Sequence, residues 1–288
     1  MNRTYVTKPQ TNLQRALLGG AVVLLAAAAA VLITSAGAAP AEKAKSNSSA
    51  SAAAKDTTIV LVHGAFAESS SWDAVIPKLS AKGYNVVAVA NPLRGVKSDA
   101  AYVASVLASI KTPVVLVGHS YGGSVITNAA NGLSNVKALV YVDGYAPDAG
   151  ESAASLSAQF PGGTLGSALA PPVSLPDGGK DLYIEQEKFR AQFAADVPEA
   201  QTKLMFATQR PVTEAALNET SGTPAWKTIP SWFIHGSLDK NITPEALFFM
   251  AKRAGAKETV EVKGGSHVVM VSKPDEVTKL IERAAESL

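Results

Sequence analysis

From Thr57 onward, short apolar runs alternate with helical patterns along the chain. The apolar runs fall at Thr57–Val62, Asn85–Ala90, Pro113–Val117, Val136–Val142, Ser231–His235 and Thr259–Val262. Most are β-branched and nearly continuous rather than alternating, as strands buried on both faces are. Between the second and third, Val103, Val106, Leu107 and Ile110 make one stripe at i, i+3, i+4, i+7. Thr243-Pro244 opens another helix with a capping side chain and a Pro at its first position, and Gly255 closes it. Pro274–Leu288 supplies the last, with Val277, Leu280 and Ile281 facing inward. Strands of this kind separated by helices predict an α/β fold: a mainly parallel, six-stranded sheet with helices on both faces.

One stretch breaks the alternation. Gly144 to Pro230 is too long for a loop. Asp181–Val197 and Pro198–Gln209 read as helices, with Leu182, Phe189, Phe193, Met205 and Phe206 among their apolar residues. The expectation is a helical cap, inserted at about residues 145–230 over the carboxyl ends of the strands. Extra cover for one sheet face is the alternative.

The first residues have a different character. Arg3, Lys8 and Arg15 precede Ala16–Ile33, which holds no polar side chain, and Ala36-Gly37-Ala38 follows. A positive region, an apolar region and an A-x-A site in that order read as a secretory signal over residues 1–38. An uncleaved membrane anchor is the alternative, because eighteen apolar residues reach the lower limit for a span. Residues 39–56, rich in Ala, Ser and Lys without periodicity, read as a disordered linker, and 57–288 as the folded domain. Without residues 1–38 the 26 basic and 24 acidic side chains become 23 and 24, and the formal charge falls from +2 to −1. The basic balance therefore belongs to the leader, and nothing points to nucleic acid as a partner. Cysteine is absent, so an exported fold must stand without disulfides. A body of this size can bury enough core to do so.

The chemistry is concentrated at Gly118-His119-Ser120-Tyr121-Gly122. An apolar strand precedes it and a helical stretch, Ser124–Asn131, follows, which is the setting of a nucleophile elbow. A serine hydroxyl needs a base, an orienting acid and an oxyanion site. His267, in a loop just beyond the last strand, is the candidate base; His63, His119 and His235 sit in a turn, in the elbow and at a strand end. Asp239, just past the fifth strand, is the candidate acid and gives the order Ser, Asp, His. Asp143, at the end of the fourth strand, is its rival. The oxyanion donors expected are the N–H of Tyr121 and an N–H from the His63-Gly64-Ala65-Phe66 turn, Ala65 in preference to Phe66. Phe66, Met205 and Phe206 are the candidate substrate contacts.

Val60-Leu61-Val62-His63-Gly64-Ala65, Gly118–Gly123, Gly236–Asp239 and Gly265-Ser266-His267 together resemble the α/β-hydrolase superfamily. They look most like its single-domain esterase branch, which includes plant methyl esterases and hydroxynitrile lyases. The resemblance spans Thr57 to Leu288 and implies the α/β-hydrolase fold, a Ser–His–Asp mechanism without metal or cofactor, and a cap-covered acyl pocket. Many members begin with two further strands; here only the linker precedes Thr57, hence a sheet of six. Lyase members of the branch carry a Thr in the oxyanion turn and a Lys after the catalytic His, where this chain has Gly64 and Val268.

The expected function is hydrolysis of a small carboxylic ester by an exported enzyme, secreted or periplasmic, with no stable membrane association once the signal is removed. Perhydrolase or haloperoxidase-type activity with the same triad is one alternative, and a non-catalytic binding module on the same fold is another. The sequence sets no oligomeric state. If the leader is read correctly, the mature protein begins near Ala39 and is recovered outside the cytoplasm. N-terminal sequencing checks this, and chain retaining Met1 in the membrane fraction would support the anchor instead.

Overall fold

Strands β1 (Thr58–Val62), β3 (Val114–His119) and β8 (Ser231–Gly236) are buried at every residue, and β4 (Val136–Val142) at all but Lys137. The edge strands β2 (Asn85–Val89) and β9 (Glu258–Val262) instead alternate between covered and exposed positions. The computed structural model describes residues 56–288; the expected signal segment and nearly all of the linker lie outside the described residues. The six strands form one sheet in the order β2-β1-β3-β4-β8-β9, and every pair runs parallel. The sheet expected as mainly parallel is thus wholly so, and its strands fall within two residues of the apolar runs.

The helices of this frame are α1 (Ile76–Ala81), α2 (Val96–Ser109) and α3 (Tyr121–Ala129). The chain leaves β1 toward one edge of the sheet and returns across it to β3. Right-handed crossovers therefore send α1 and α2 to opposite faces. The reversal falls between β1 and β3, where a crevice opens at the carboxyl ends of the strands. The turn after β1 and the elbow after β3 both stand at that crevice.

The segment between β4 and β8 departs from a purely helical cap. It holds α4 (Ala153–Gln159), α5 (Leu165–Ala168), β5 (Val173–Ser174), β6 (Lys180–Leu182), α6 (Gln186–Phe193), α7 (Glu199–Ala207), β7 (Val212–Thr213) and α8 (Glu214–Asn218). Strands β5, β6 and β7 form a small antiparallel sheet. Asp181 and Leu182, expected at the start of a helix, are in β6 instead. The cause is the tight turn at Asp177-Gly178-Gly179, where Gly178 takes a φ of +86° and the Asp177 carboxylate accepts the Gly179 N–H. The frame closes with α9 (Pro244–Arg253), α10 (Val269–Ser272) and α11 (Pro274–Glu286), whose Val277, Leu280 and Ile281 are fully buried.

Helix α3 begins at Tyr121, three residues earlier than its apolar pattern suggests, because Ser120 completes the turn alone. Its φ of +54° and ψ of −123° lie in a region that side-chain-bearing residues avoid. The helix then runs so close to β1 that a Cβ on Gly122 would meet the Val62 carbonyl oxygen at 2.6 Å and that of His63 at 2.9 Å. Both are backbone atoms, one at the end of β1 and one in the buried turn after it, and neither can swing aside as a side chain would. Gly122→Ala is expected to destabilise the fold by about 1–3 kcal/mol, as forced overpacking does. A lower urea midpoint at unchanged m-value is the readout; wild-type stability would mean the helix has room to move.

Candidate active site

Three separate segments meet above the crevice. Ser120 stands on the elbow, Asp239 follows β8, and His267 lies between β9 and α10. The His267 Nε2 is 2.8 Å from the Ser120 Oγ, and its Nδ1 is 2.7 Å from an Asp239 carboxylate oxygen. An ionised carboxylate can only accept, so Nδ1 carries the ring proton and Nε2 is free to take the serine proton. The second Asp239 oxygen accepts the N–H groups of Asn241 (2.7 Å) and Ile242 (3.0 Å), which hold the carboxylate in place. His267 is fully buried and Ser120 nearly so.

Asp143 is close by but differently engaged. Its carboxyl accepts the Gly236 N–H at 2.7 Å and the Val269 N–H at 3.4 Å, and of the two acids only Asp239 bonds to the imidazole. Burial first, and the neighbouring Asp239 carboxylate second, push the Asp143 carboxyl well above its ordinary range. A group held toward its neutral form is a poor partner for an imidazolium.

The oxyanion turn is set by a residue whose role sequence reasoning did not foresee. The His63 ring donates from Nδ1 to the Gly64 carbonyl at 3.0 Å and accepts the Asn91 N–H at Nε2, also at 3.0 Å. Burial, the largest influence on His63, lowers its basicity and favours this neutral form. The Phe66 N–H is committed to the Arg210 carbonyl at 3.0 Å. Those of Ala65 and Tyr121 donate to no other described residue, and both residues border the same cavity as Ser120. His119 spans the elbow and the histidine loop, its Nε2 donating to the His267 carbonyl at 2.9 Å.

That cavity has a volume of about 240 Å³. Its walls come from Tyr145, from α4 and the following turn (Ala153, Ser157, Phe160), and from Ile242 after β8. The candidate substrate contacts are corrected here: none of Phe66, Met205 and Phe206 lines it. Phe66 packs edge-on against Phe193, and Phe206 edge-on against Phe189. Met205 lines a separate, smaller pocket beside Glu68 and Gln201. These large apolar side chains of α6 and α7 pack among themselves and behind His267, whose ring is 5.3 Å from that of Phe193. The cavity wall mixes larger side chains such as Tyr145, Phe160 and Ile242 with many small residues, among them Ala153, Ala154, Ser157, Gly162 and Gly163, that carry no motif.

A serine raised on a strained elbow at the carboxyl edge of a parallel sheet is the mark of the α/β hydrolases. The chain belongs to the alpha/beta hydrolase family, whose model matches residues 59–280. An alpha-hydroxynitrile lyase from Arabidopsis thaliana is 25% identical over 240 residues, covering 76% of this chain and 93% of that protein. Methylesterase 2 from the same plant is 24% identical across 75% of this chain and 90% of its own length. Among solved structures, polyneuridine aldehyde esterase matches with a TM-score of 0.67 at 20% identity, over 78% of this chain and 98% of the other. The relatives therefore lie in the branch that the motifs resemble.

The two acids make a sharp comparison. Asp239→Asn is expected to lower kcat by about 10³–10⁴ with the fold intact, as loss of the orienting carboxylate does. Steady-state kinetics with circular dichroism checks this; near-normal turnover there, with collapse in Asp143→Asn, would transfer the role to Asp143.

Proposed function

We propose that this protein is a serine esterase that cleaves small, uncharged carboxylic esters through an acyl-enzyme. The observation that carries the reading is the hydrogen-bonded run from Asp239 through His267 to Ser120, opening on a cavity with no charged side chain among the described residues that line it. Ser120 Oγ attacks the ester carbonyl as His267 Nε2 takes its proton. The oxygen that becomes negative is met by the N–H groups of Ala65 and Tyr121, the latter at the N-terminus of α3. His267 returns the proton to the departing alcohol, and the acyl group remains on Ser120. Water, deprotonated by the same nitrogen, then releases the acid and restores the serine.

The uncharged wall bears on the substrate as well as the reaction. An ionised group brought into this cavity would lose its hydration and gain no partner of opposite charge. A neutral ester meets no such penalty, while the carboxylate formed from it does and is driven out. The N-terminal pattern of the sequence adds export to the proposal.

Cyanohydrin cleavage, the reaction named for one relative, fits these residues poorly. A Cβ at position 64 would lie 2.6 Å from the Ser120 Cβ and 2.7 Å from the His119 carbonyl oxygen, so the oxyanion turn has no room for a threonine on this backbone. At position 268 stands a fully buried valine, which offers no cation to a departing cyanide.

Three substrates and one variant test the reading: a short-chain aryl ester, the half-ester of a dicarboxylic acid of similar length, and mandelonitrile, each with wild type and Ser120→Ala. The neutral ester is expected to turn over at least about tenfold faster than the anionic one in kcat/KM, a difference of about 1.4 kcal/mol, with all activity lost in Ser120→Ala. Benzaldehyde release from mandelonitrile without esterase turnover would overturn the proposal. Failure of a fluorophosphonate to label Ser120 would favour a binding module.

A further inference from the structure

Tyr121 brings two features to the site. Its N–H is the oxyanion donor next to the nucleophile, and its phenol is anchored elsewhere. The hydroxyl donates to an Asp99 carboxylate oxygen at 2.9 Å, with Tyr121 1% and Asp99 0% exposed. Asp99 lies in the first turn of α2 and is itself tightly held. The Arg94 N–H lies 3.1 Å from each of its oxygens, and the Gly95 N–H reaches one of them at 3.4 Å. Burial raises the Asp99 carboxyl above its ordinary value, against the opposing pull of the Arg94, Tyr121 and Gly95 hydrogen bonds. The G-x-S-x-G pattern leaves the residue after the serine open, so the Tyr–Asp pair is a feature of this chain rather than of the motif.

The anchor matters because of the peptide it controls. The N–H aimed at the oxyanion belongs to the bond joining Ser120 to Tyr121, and Ser120 is held at a φ of +54°. A side-chain-bearing residue in such a conformation stores about 1–3 kcal/mol of strain and keeps it only when its neighbours are fixed. A donor must stay within about 0.5 Å of its productive position to be useful. With the phenol free, residue 121 could pivot and the strained bond could relax, carrying the N–H away from the carbonyl.

The buttress extends into the inserted segment. The Arg94 guanidinium pairs with Asp181 of β6 at 2.6 Å and donates to the Pro211 carbonyl at 2.7 Å. Thr213 of β7 donates its hydroxyl to the Arg94 carbonyl at 3.0 Å. The loop that grips Asp99 is therefore clamped by two strands of the small antiparallel sheet.

We propose that Asp99 is a positioning residue for the oxyanion donor, acting through the Tyr121 hydroxyl and steadied by the Arg94–Asp181 clamp. The inference rests on the esterase reading and names the residue that keeps its transition-state donor in line. It makes the pair important when negative charge has developed on the substrate and unimportant when the ester merely binds.

Tyr121→Phe, Asp99→Asn and the double variant test it, with kcat and KM for a short-chain aryl ester and the inhibition constant of an aryl boronic acid, which forms a tetrahedral adduct on a nucleophilic serine. Each single change is expected to lower kcat about tenfold, a part of the 10²–10³ that loss of one oxyanion donor costs. KM should stay within about twofold and boronate affinity fall in step with kcat, as for an interaction made only in the transition state. The double variant should be no worse than the poorer single, because both act through one bond. Additive losses, a rise in KM alone, or wild-type kcat in folded Tyr121→Phe would overturn the inference. Should Asp99→Asn not fold, Tyr121→Phe decides alone, since it deletes one oxygen and keeps the ring. Absence of wild-type esterase activity would sink the esterase reading itself; an active wild type beside an unimpaired Tyr121→Phe would sink only the role of Asp99.

Discussion

The site depends on how closely the elbow is pressed against the turn that follows β1. Side chains at positions 64 and 122 would collide with backbone or with Ser120 itself, so only glycines allow the contact. The contact brings the Ala65 and Tyr121 N–H groups to one cavity and raises Ser120 on a backbone that would otherwise relax. The strain is small beside the burial that opposes its release. Strands β1 and β3 are covered along their whole length, and the core of the sheet would have to open before the elbow could flatten.

Around that contact the polar groups are arranged in graded fashion. Three histidines surround the elbow, and only His267 faces both an acid and the serine. His63 and His119 are lowered in basicity by burial; both ring nitrogens of His63 bond the backbone at the oxyanion turn, and Nε2 of His119 holds the histidine loop. Of the two acids weighed for the triad, Asp239 is held by two N–H groups against the imidazole, whereas Asp143 joins the β8 and α10 backbones. Differences of environment, not of residue type, separate the groups that can move a proton from those that hold the frame.

The strands were legible in the sequence because a parallel sheet buried on both faces leaves unbroken apolar runs, and the elbow because its glycines and serine must be adjacent. The candidate Ser, Asp and His were chosen by their positions after strands, and the structure places the Ser and Asp side chains each within hydrogen-bond distance of the His. The inserted segment was harder. Its strands β5 and β7 are two residues long, too short to show a period, though Pro176-Asp177-Gly178-Gly179 was a turn signal between two of them. The cavity wall escaped notice for a physical reason: room for a ligand is made by small residues such as Ala153, Ser157 and Gly163. Large apolar residues such as Phe206 attract attention but fill space rather than leave it. The Tyr121–Asp99 bond joins two helices that no motif connects.

The central claim, that Ser120 carries the acyl group between the two halves of the reaction, is open to direct observation. The protein would be mixed with excess aryl ester, quenched in acid within the first turnovers, and digested for mass spectrometry. The account predicts the acyl mass on the peptide containing Ser120, appearing in step with a burst of released phenol and absent when His267 is replaced by alanine. Steady turnover with no acyl mass on that peptide, or with the mass on another residue, would contradict it.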